Sequence, residues 1–160
     1  MVPFTEHSTK EEWTAGWDTK IEGPVLDDYW RNLAKTAAKF EEIRAICGDK
    51  PITINSGLRG KIRNSQIPGA SLTSAHLWGL AGDLLPPAGM TLQEMFNRVV
   101  QHPTCMLSID QLIIERGCLH YGLVVPAQRL IPRRDLRTEK DIAGIRTYPL
   151  LRIWTPPRGA

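Results

Sequence analysis

Residues 74–83, SAHLWGLAGD, place a carboxylate in a stretch that is otherwise suited to burial. Asp83 is preceded by small and apolar residues and followed by two leucines. Because GLAGDLL is too rich in glycine for a helix, we predict a strand in which the glycines allow close approach of the backbone. A carboxylate in such a strand needs a compensating partner, since its removal from water is otherwise costly. The fold must therefore bring a partner to Asp83.

Two histidines could provide that partner. His76 lies seven positions before Asp83, and His120 lies between Leu119 and Tyr121 in a second apolar segment. Taken singly, each histidine is more often a hydrogen-bonded structural residue, and an aspartate is more often a loop or cap residue. Together, two imidazoles and one carboxylate are the usual protein ligands of a catalytic zinc, with a fourth position for water. Such a zinc lowers the pKa of water to about 7 and polarises a carbonyl, which suits amide hydrolysis.

The spacing of apolar residues predicts two helices and the first strand. A helix begins at Pro24 and ends at Gly48, and a 3-and-4 spacing gives it one apolar stripe: Leu26, Trp30, Leu33, Ala37, Phe40 and Cys47. A second helix begins at the capping box of Thr91 and Glu94 and ends before Pro103. PITIN alternates two isoleucines and predicts a short strand.

The remaining segments predict an α+β fold, with helices packed on a small antiparallel sheet. Residues 56–75 predict a long loop, which at this length is usually functional or disordered. Residues 109–114 and 118–125 predict a hairpin around the Arg116–Gly117 turn. Residues 150–154 predict a last strand.

We expect one domain over residues 1–160. Its first 23 residues are polar with scattered aromatics and should wrap the surface, while 126–160 form a basic, proline-punctuated extension. The N-terminus lacks a signal-peptide core, and no apolar run approaches the roughly 18 residues of a membrane helix. We therefore expect a monomer without membrane insertion that accumulates in the cytoplasm. Three widely spaced cysteines without a CxxC pair argue against a disulfide framework and a cysteine-based zinc knuckle.

The basic stretch RLIPRRDLR, residues 129–137, has two interpretations. It is either a solvated surface loop or a weak attractor of anionic polymers. The net charge of +3 is small, and no aromatic platform for bases accompanies the stretch. We therefore exclude nucleic acid as a partner.

Three elements occur in an order that resembles the zinc D-Ala-D-Ala carboxypeptidase family. They are INSGLRG followed by Asn64, then SAHLWGLAGD, then DQLIIERGCLH, and the likeness extends over residues 24–125. The match is most similar to the compact, phage-type branch that cuts peptidoglycan peptides. This resemblance implies a hedgehog/DD-peptidase-like fold with zinc on the sheet, held by His76, Asp83 and His120. It also implies a peptidoglycan peptide as substrate.

The resemblance assigns further residues around the zinc. Arg59 falls on an arginine that binds substrate and stabilises charge at the scissile carbonyl, a role that suits a guanidinium. The alternative for Arg59 is a surface contact within the loop. Ser74 falls on a residue expected to contact substrate, and its alternative is local capping of the loop backbone.

The general base departs from the pattern of the family. Its usual places, two or three positions before the last ligand, hold Cys118 and Gly117 here. Glu115 is the nearest carboxylate and our candidate, although it could instead face outward from the hairpin. Cys118 could be a further zinc ligand or could line the pocket. Two functions remain open: a zinc peptidase, such as a phage lysis or entry enzyme, and a non-catalytic zinc-stabilised wall-binding or virion domain.

Overall fold

The computed structural model describes residues 3–15, 24–126, 132–138, 140–142, 145–147 and 150–155, with the side chains of residues 3, 24–26, 138, 140–142, 145–147 and 151–152 excepted. In chain order these residues form strands β1 (Pro3–Thr5), β2 (Ser8–Thr9), β3 (Thr53–Ser56), β4 (Ala81–Leu85), β5 (Ile109–Glu115), β6 (Cys118–Leu123), β7 (Asp135–Thr138), β8 (Lys140–Ile142), β9 (Ile145–Thr147) and β10 (Leu150–Ile153). The helices are α1 (Lys10–Thr14), α2 (Pro24–Ile46), α3 (Lys61–Ser65), α4 (Leu92–Val100) and α5 (Pro103–Met106), with a 3₁₀ turn at Ala75–Trp78.

A six-stranded sheet in the order β10-β7-β5-β6-β4-β3 forms the centre of the fold. Its pairings are antiparallel except for β5 with β7, which run parallel. The predicted α+β class, with helices packed on a small antiparallel sheet, is confirmed. The parallel pair was not anticipated, because the residues of β7 were interpreted only as part of the basic extension. The C-terminal segment contributes two strands, β7 and β10, to the central sheet.

Helix α2 covers one face of this sheet with the predicted apolar stripe. Leu33, Ala37, Phe40 and Cys47 are buried, and the helix ends just before Gly48, where φ is +86°. The Tyr121 hydroxyl of β6 donates a hydrogen bond of 2.8 Å to the Thr36 carbonyl of α2. The opposite face is therefore available for a site. Within the described residues, no helix combines the length and apolarity that crossing a membrane requires.

The other predicted elements mostly match the structure. Thr91 and Glu94 cap α4 as expected, and Arg116 and Gly117, at φ +45° and +78°, form the turn of the β5–β6 hairpin. Strand β10 confirms the predicted last strand. The prediction of a continuous loop over 56–75 was wrong at Lys61–Ser65, which is α3. Its sequence, KIRNS, carries no apolar periodicity that could have indicated a helix.

The N-terminal segment does more than wrap the surface. Trp13 is fully buried, with its ring edge-on to Phe40 at a centroid distance of 5.7 Å. Its carbonyl accepts a hydrogen bond of 2.7 Å from the Leu58 amide. A Cβ at Gly57 would lie 2.4 Å from the same carbonyl oxygen. Only glycine fits there, so Trp13 fixes the backbone at the point where the chain approaches the candidate site.

Candidate metal centre

The candidate site is built on a row of residues that crosses the sheet. Ser56 is opposite Asp83, Asp83 is opposite His120, His120 is opposite Ile113, and Ile113 is opposite Arg137. Directly opposed residues of neighbouring strands project from the same face. These residues therefore share one face, and Tyr121, the neighbour of His120, points to the other face against α2. The register of the strands alone brings Asp83 to His120, as the sequence predicted.

His76 reaches the row from the 3₁₀ turn before β4. The turn ends at Gly79, whose φ of +68° reverses the chain into the strand. His76 Nδ1 donates a hydrogen bond of 2.6 Å to the Gly57 carbonyl. Because that bond requires the proton on Nδ1, Nε2 of the neutral ring carries a lone pair. Such carbonyl contacts fix the tautomer and the orientation of metal-binding histidines.

Three potential ligand atoms converge at one point. Asp83 Oδ1 lies 3.2 Å from His76 Nε2 and 2.8 Å from His120 Nδ1, and the two nitrogens are 3.2 Å apart. All three residues are buried, and within the described chain they form a group able to hold a metal ion. A cation bound between these atoms would compensate for their burial away from water. Two imidazoles and a carboxylate fit zinc by ligand type and number.

The electrostatics of the cluster favour positive charge. Burial opposes ionisation of Asp83, but its interactions with His76 and His120 outweigh burial and hold the pKa of Asp83 well below its usual range. Burial likewise opposes protonation of His120, yet the hydrogen bond and charge of Asp83 raise its pKa. The same negative field would favour a dication among these atoms.

Arg59 contacts the outer oxygen of Asp83. Its Nη2 lies 3.2 Å from Asp83 Oδ2 and 3.3 Å from Ser56 Oγ, and its backbone amide donates to the His76 carbonyl at 3.0 Å. Nη1 donates to Asn64 Oδ1 at 3.4 Å. The guanidinium is thus buried against the cluster and leaves Oδ1 of Asp83 for a metal. Arg59 therefore lies within the site and does not make the surface loop contact that was its alternative.

Glu115 lies beside the cluster at the end of β5. Its Oε1 is 3.7 Å from His120 Nδ1, and its side chain is one-fifth exposed. The carboxylate therefore faces inward, and the alternative of an outward-facing residue does not hold. Cys118 donates its thiol proton to the Glu115 carbonyl at 3.1 Å. Both side chains line the cleft, while Gly117 lies in the turn.

The cluster opens into a cleft of about 770 Å³, which Ser74 also lines. Among the described residues, the Ser74 side chain makes no capping hydrogen bond to the 3₁₀ turn that it precedes, so the capping alternative lacks support. Two arginines that we did not assign to the site, Arg133 and Arg137, form part of the cleft wall. The RLIPRRDLR stretch indicated their charge, but their position depends on the parallel pairing of β7.

Comparison with known proteins identifies the family. A family model described as Peptidase M15 matches residues 5–124. The chain belongs to the peptidase M15 family. A zinc D-Ala-D-Ala carboxypeptidase of Streptomyces albus G is 45% identical over 53 residues, which cover 33% of this chain and 20% of that protein. The chain thus matches only a fifth of that relative's length. The family inferred from the sequence is confirmed, and His76, Asp83 and His120 lie inside the matched region.

Proposed function

We propose that this M15 protein is a zinc-dependent peptidase that hydrolyses an amide bond in peptidoglycan stem peptides or cross-bridges. The observation that carries the proposal is the convergence of His76, Asp83 and His120 beside a carboxylate in an open cleft. The carboxypeptidase relative, named for zinc and for D-Ala-D-Ala, supports the metal and the substrate class. We also propose that it is a phage-type endolysin, an enzyme that degrades the bacterial cell wall.

The metal would be held by His76 Nε2, Asp83 Oδ1 and His120 Nδ1. When bound, zinc supplies Lewis acidity that polarises the scissile carbonyl and acidifies water. The Gly57 carbonyl fixes His76 by accepting a hydrogen bond from Nδ1, and Arg59 fixes Asp83 by binding Oδ2. Outer contacts of this kind orient ligands and commonly change metal affinity or activity by about 10–100-fold.

Glu115 is proposed as the general base. Its carboxylate borders the ligand cluster and is open to the cleft, so it can reach a water that attacks a peptide bound there. It would accept the proton of that water and later transfer a proton to the leaving nitrogen. General acid–base catalysis of this kind contributes about 10²–10⁴-fold to the rate.

Arg59 and Ser74 are proposed to act on the substrate. The Arg59 guanidinium lines the cleft next to the metal cluster, where a permanent positive charge stabilises negative charge on the carbonyl oxygen. Ser74 also lines the cleft, and its hydroxyl is available to hydrogen-bond the peptide backbone. Arg59 thereby has two roles: it orients Asp83, and it stabilises negative charge on the substrate.

Mass spectrometry of purified peptidoglycan fragments tests the proposal. Zinc-loaded protein should release a new peptide fragment, chelator-treated protein and His120→Ala should not, and the fragment mass identifies the bond. Glu115→Gln should bind zinc at the wild-type stoichiometry while turnover falls by about 10²–10⁴-fold. If fully zinc-loaded protein releases no fragment from any wall type, the peptidase is rejected in favour of the non-catalytic wall-binding or virion domain.

A further inference from the structure

Arg133 and Arg137 form one wall of the cleft, called here the β7 wall. We infer that this wall is a carboxylate-binding subsite. In it Arg137, supported by Arg133, holds a free carboxylate of the substrate peptide away from the scissile bond. The ligand class is an anionic peptide. The inference rests on the proposed function for the identity of that peptide as a wall peptide. The subsite itself is argued from the position, the orientation and the charge of the two arginines.

The position of Arg137 follows from the row across the sheet. Ile113 separates Arg137 from His120, so the two residues are two strand spacings apart, or about 10 Å between their Cα atoms. An extended peptide covers about 3.3–3.6 Å per residue. A peptide whose reacting amide lies at the cluster would therefore bring a carboxylate two or three residues away within reach of this guanidinium.

The two arginines are held in place by buried aspartates. Arg137 Nη2 lies 3.0 Å from Asp135 Oδ2, and Arg133 donates to Asp110 Oδ2 from Nε at 3.2 Å and from Nη2 at 2.9 Å. Asp110 and Asp135 are buried, whereas the side chains of Arg133 and Arg137 are 38% and 27% exposed. Guanidiniums fixed in this way lose little conformational freedom when they bind a ligand. The exposed part of each fork can accommodate a carboxylate.

The charge of the cleft favours an anionic ligand. Five arginines line it against three carboxylates: Arg59, Arg63, Arg116, Arg133 and Arg137 against Asp83, Asp110 and Glu115. Asp135, which contacts Arg137 from behind the lining, adds a fourth carboxylate, so the arginines remain in excess by one. A cleft with an excess of one sign of charge concentrates ligands of the opposite sign. Arg133 and Arg137 also lie beyond residues 5–124, the region that the M15 model matches. The β7 wall therefore lies outside the part of the chain that the family model matches, in a position to set specificity.

Calorimetry with zinc-loaded protein tests the subsite. The background is Glu115→Gln, so that bound peptide is not cleaved. The probes are a synthetic stem peptide and versions in which one carboxylate at a time is amidated, which removes the charge with little change in size. One amidation should weaken binding about tenfold, as expected for the loss of a charge-assisted contact. The same amidation should have no effect when Arg137→Gln is added.

Arg134→Gln is the matched control, because the Arg134 guanidinium lies over the Trp154 ring at 5.9 Å. It should retain the tenfold preference. If Arg137→Gln does not fold, Arg137→Lys keeps the charge but loses the two-pronged contact, and the preference should fall about threefold or more. The subsite is refuted if the Glu115→Gln protein binds the charged and amidated peptides equally well. It is also refuted if both Arg137 variants keep the full preference for the charged peptide. Turnover is measured separately with zinc-loaded wild type: absence of cleavage rejects the peptidase, while the binding data still decide the subsite.

Discussion

The contact between Trp13 and Gly57 makes zinc binding depend on a segment far from the metal ligands. Gly57→Ala would place a Cβ 2.4 Å from the Trp13 carbonyl oxygen and 2.8 Å from Cε3 of its ring. Because the nearest atom is backbone, the clash is relieved by moving the chain at Gly57 or at Trp13. Movement at Gly57 also displaces its carbonyl, which accepts a hydrogen bond of 2.6 Å from His76 Nδ1.

The expected loss has two parts. Overpacking costs about 1–3 kcal/mol, and a disrupted hydrogen bond costs about 1 kcal/mol. A total near 3 kcal/mol corresponds to a fall in Tm of roughly 6–12 °C for a protein of this size. Zinc affinity should fall about 10–100-fold, because His76 loses the contact that orients it.

Urea unfolding and competition with a chromophoric zinc chelator measure the two effects. Gly89→Ala is the control: φ there is positive, +77°, unlike φ at Gly57, and the new Cβ would lie 3.9 Å from Lys50 Nζ, an ordinary contact. The control should lose about 1 kcal/mol from backbone strain and keep its zinc affinity. Wild-type zinc affinity in a folded Gly57→Ala protein would refute the proposed link between Trp13 and the metal.

Three further predictions follow from the buried groups. Arg59→Lys should weaken zinc binding about 10–100-fold, measured by the same chelator competition, because a lysine cannot contact Asp83, Ser56 and Asn64 together. Cys118→Ser should bind zinc as the wild type does, since the Cys118 thiol donates to a carbonyl; a large loss would make Cys118 a ligand. Burial raises the pKa of Cys105 from 9.0 to about 12. Above pH 9 the unfolded chain loses the Cys105 proton while the folded chain keeps it, so the free energy of unfolding should fall as pH rises. By pH 10 urea unfolding should show a loss of about 1.4 kcal/mol that Cys105→Ala does not show.

Local patterns predicted much of the fold and the three residues of the metal cluster. The capping box at Thr91, the turn at Arg116–Gly117 and the stripe of α2 are short-range signals that the structure retains. The residues of the cluster could be predicted because burial of Asp83 in a glycine-rich strand requires compensation, and few residue types provide it. The resemblance to the family then selected His76 and His120.

The unpredicted features depend on contacts between distant parts of the chain. Helix α3 lacks an apolar stripe and is anchored by Asn64, which contacts Arg59 Nη1 and the Ser71 carbonyl. Strand β7 is only four residues long, and its parallel partner lies more than twenty residues earlier. The need for glycine at position 57 comes from Trp13, over forty residues away. Propensity and periodicity contain no information about such pairings.

The register of β4 against β6 gives the metal a role in selecting the correct sheet. A slip of one residue would turn His120 to the α2 side and bring Leu119 or Tyr121 opposite Asp83. Gly82 would no longer lie opposite Tyr121, whose ring occupies the space of its absent side chain. Such a misaligned sheet could not assemble the three ligands. Zinc would therefore bind and stabilise only correctly paired molecules, and refolding with zinc should yield fewer misfolded molecules than refolding with chelator.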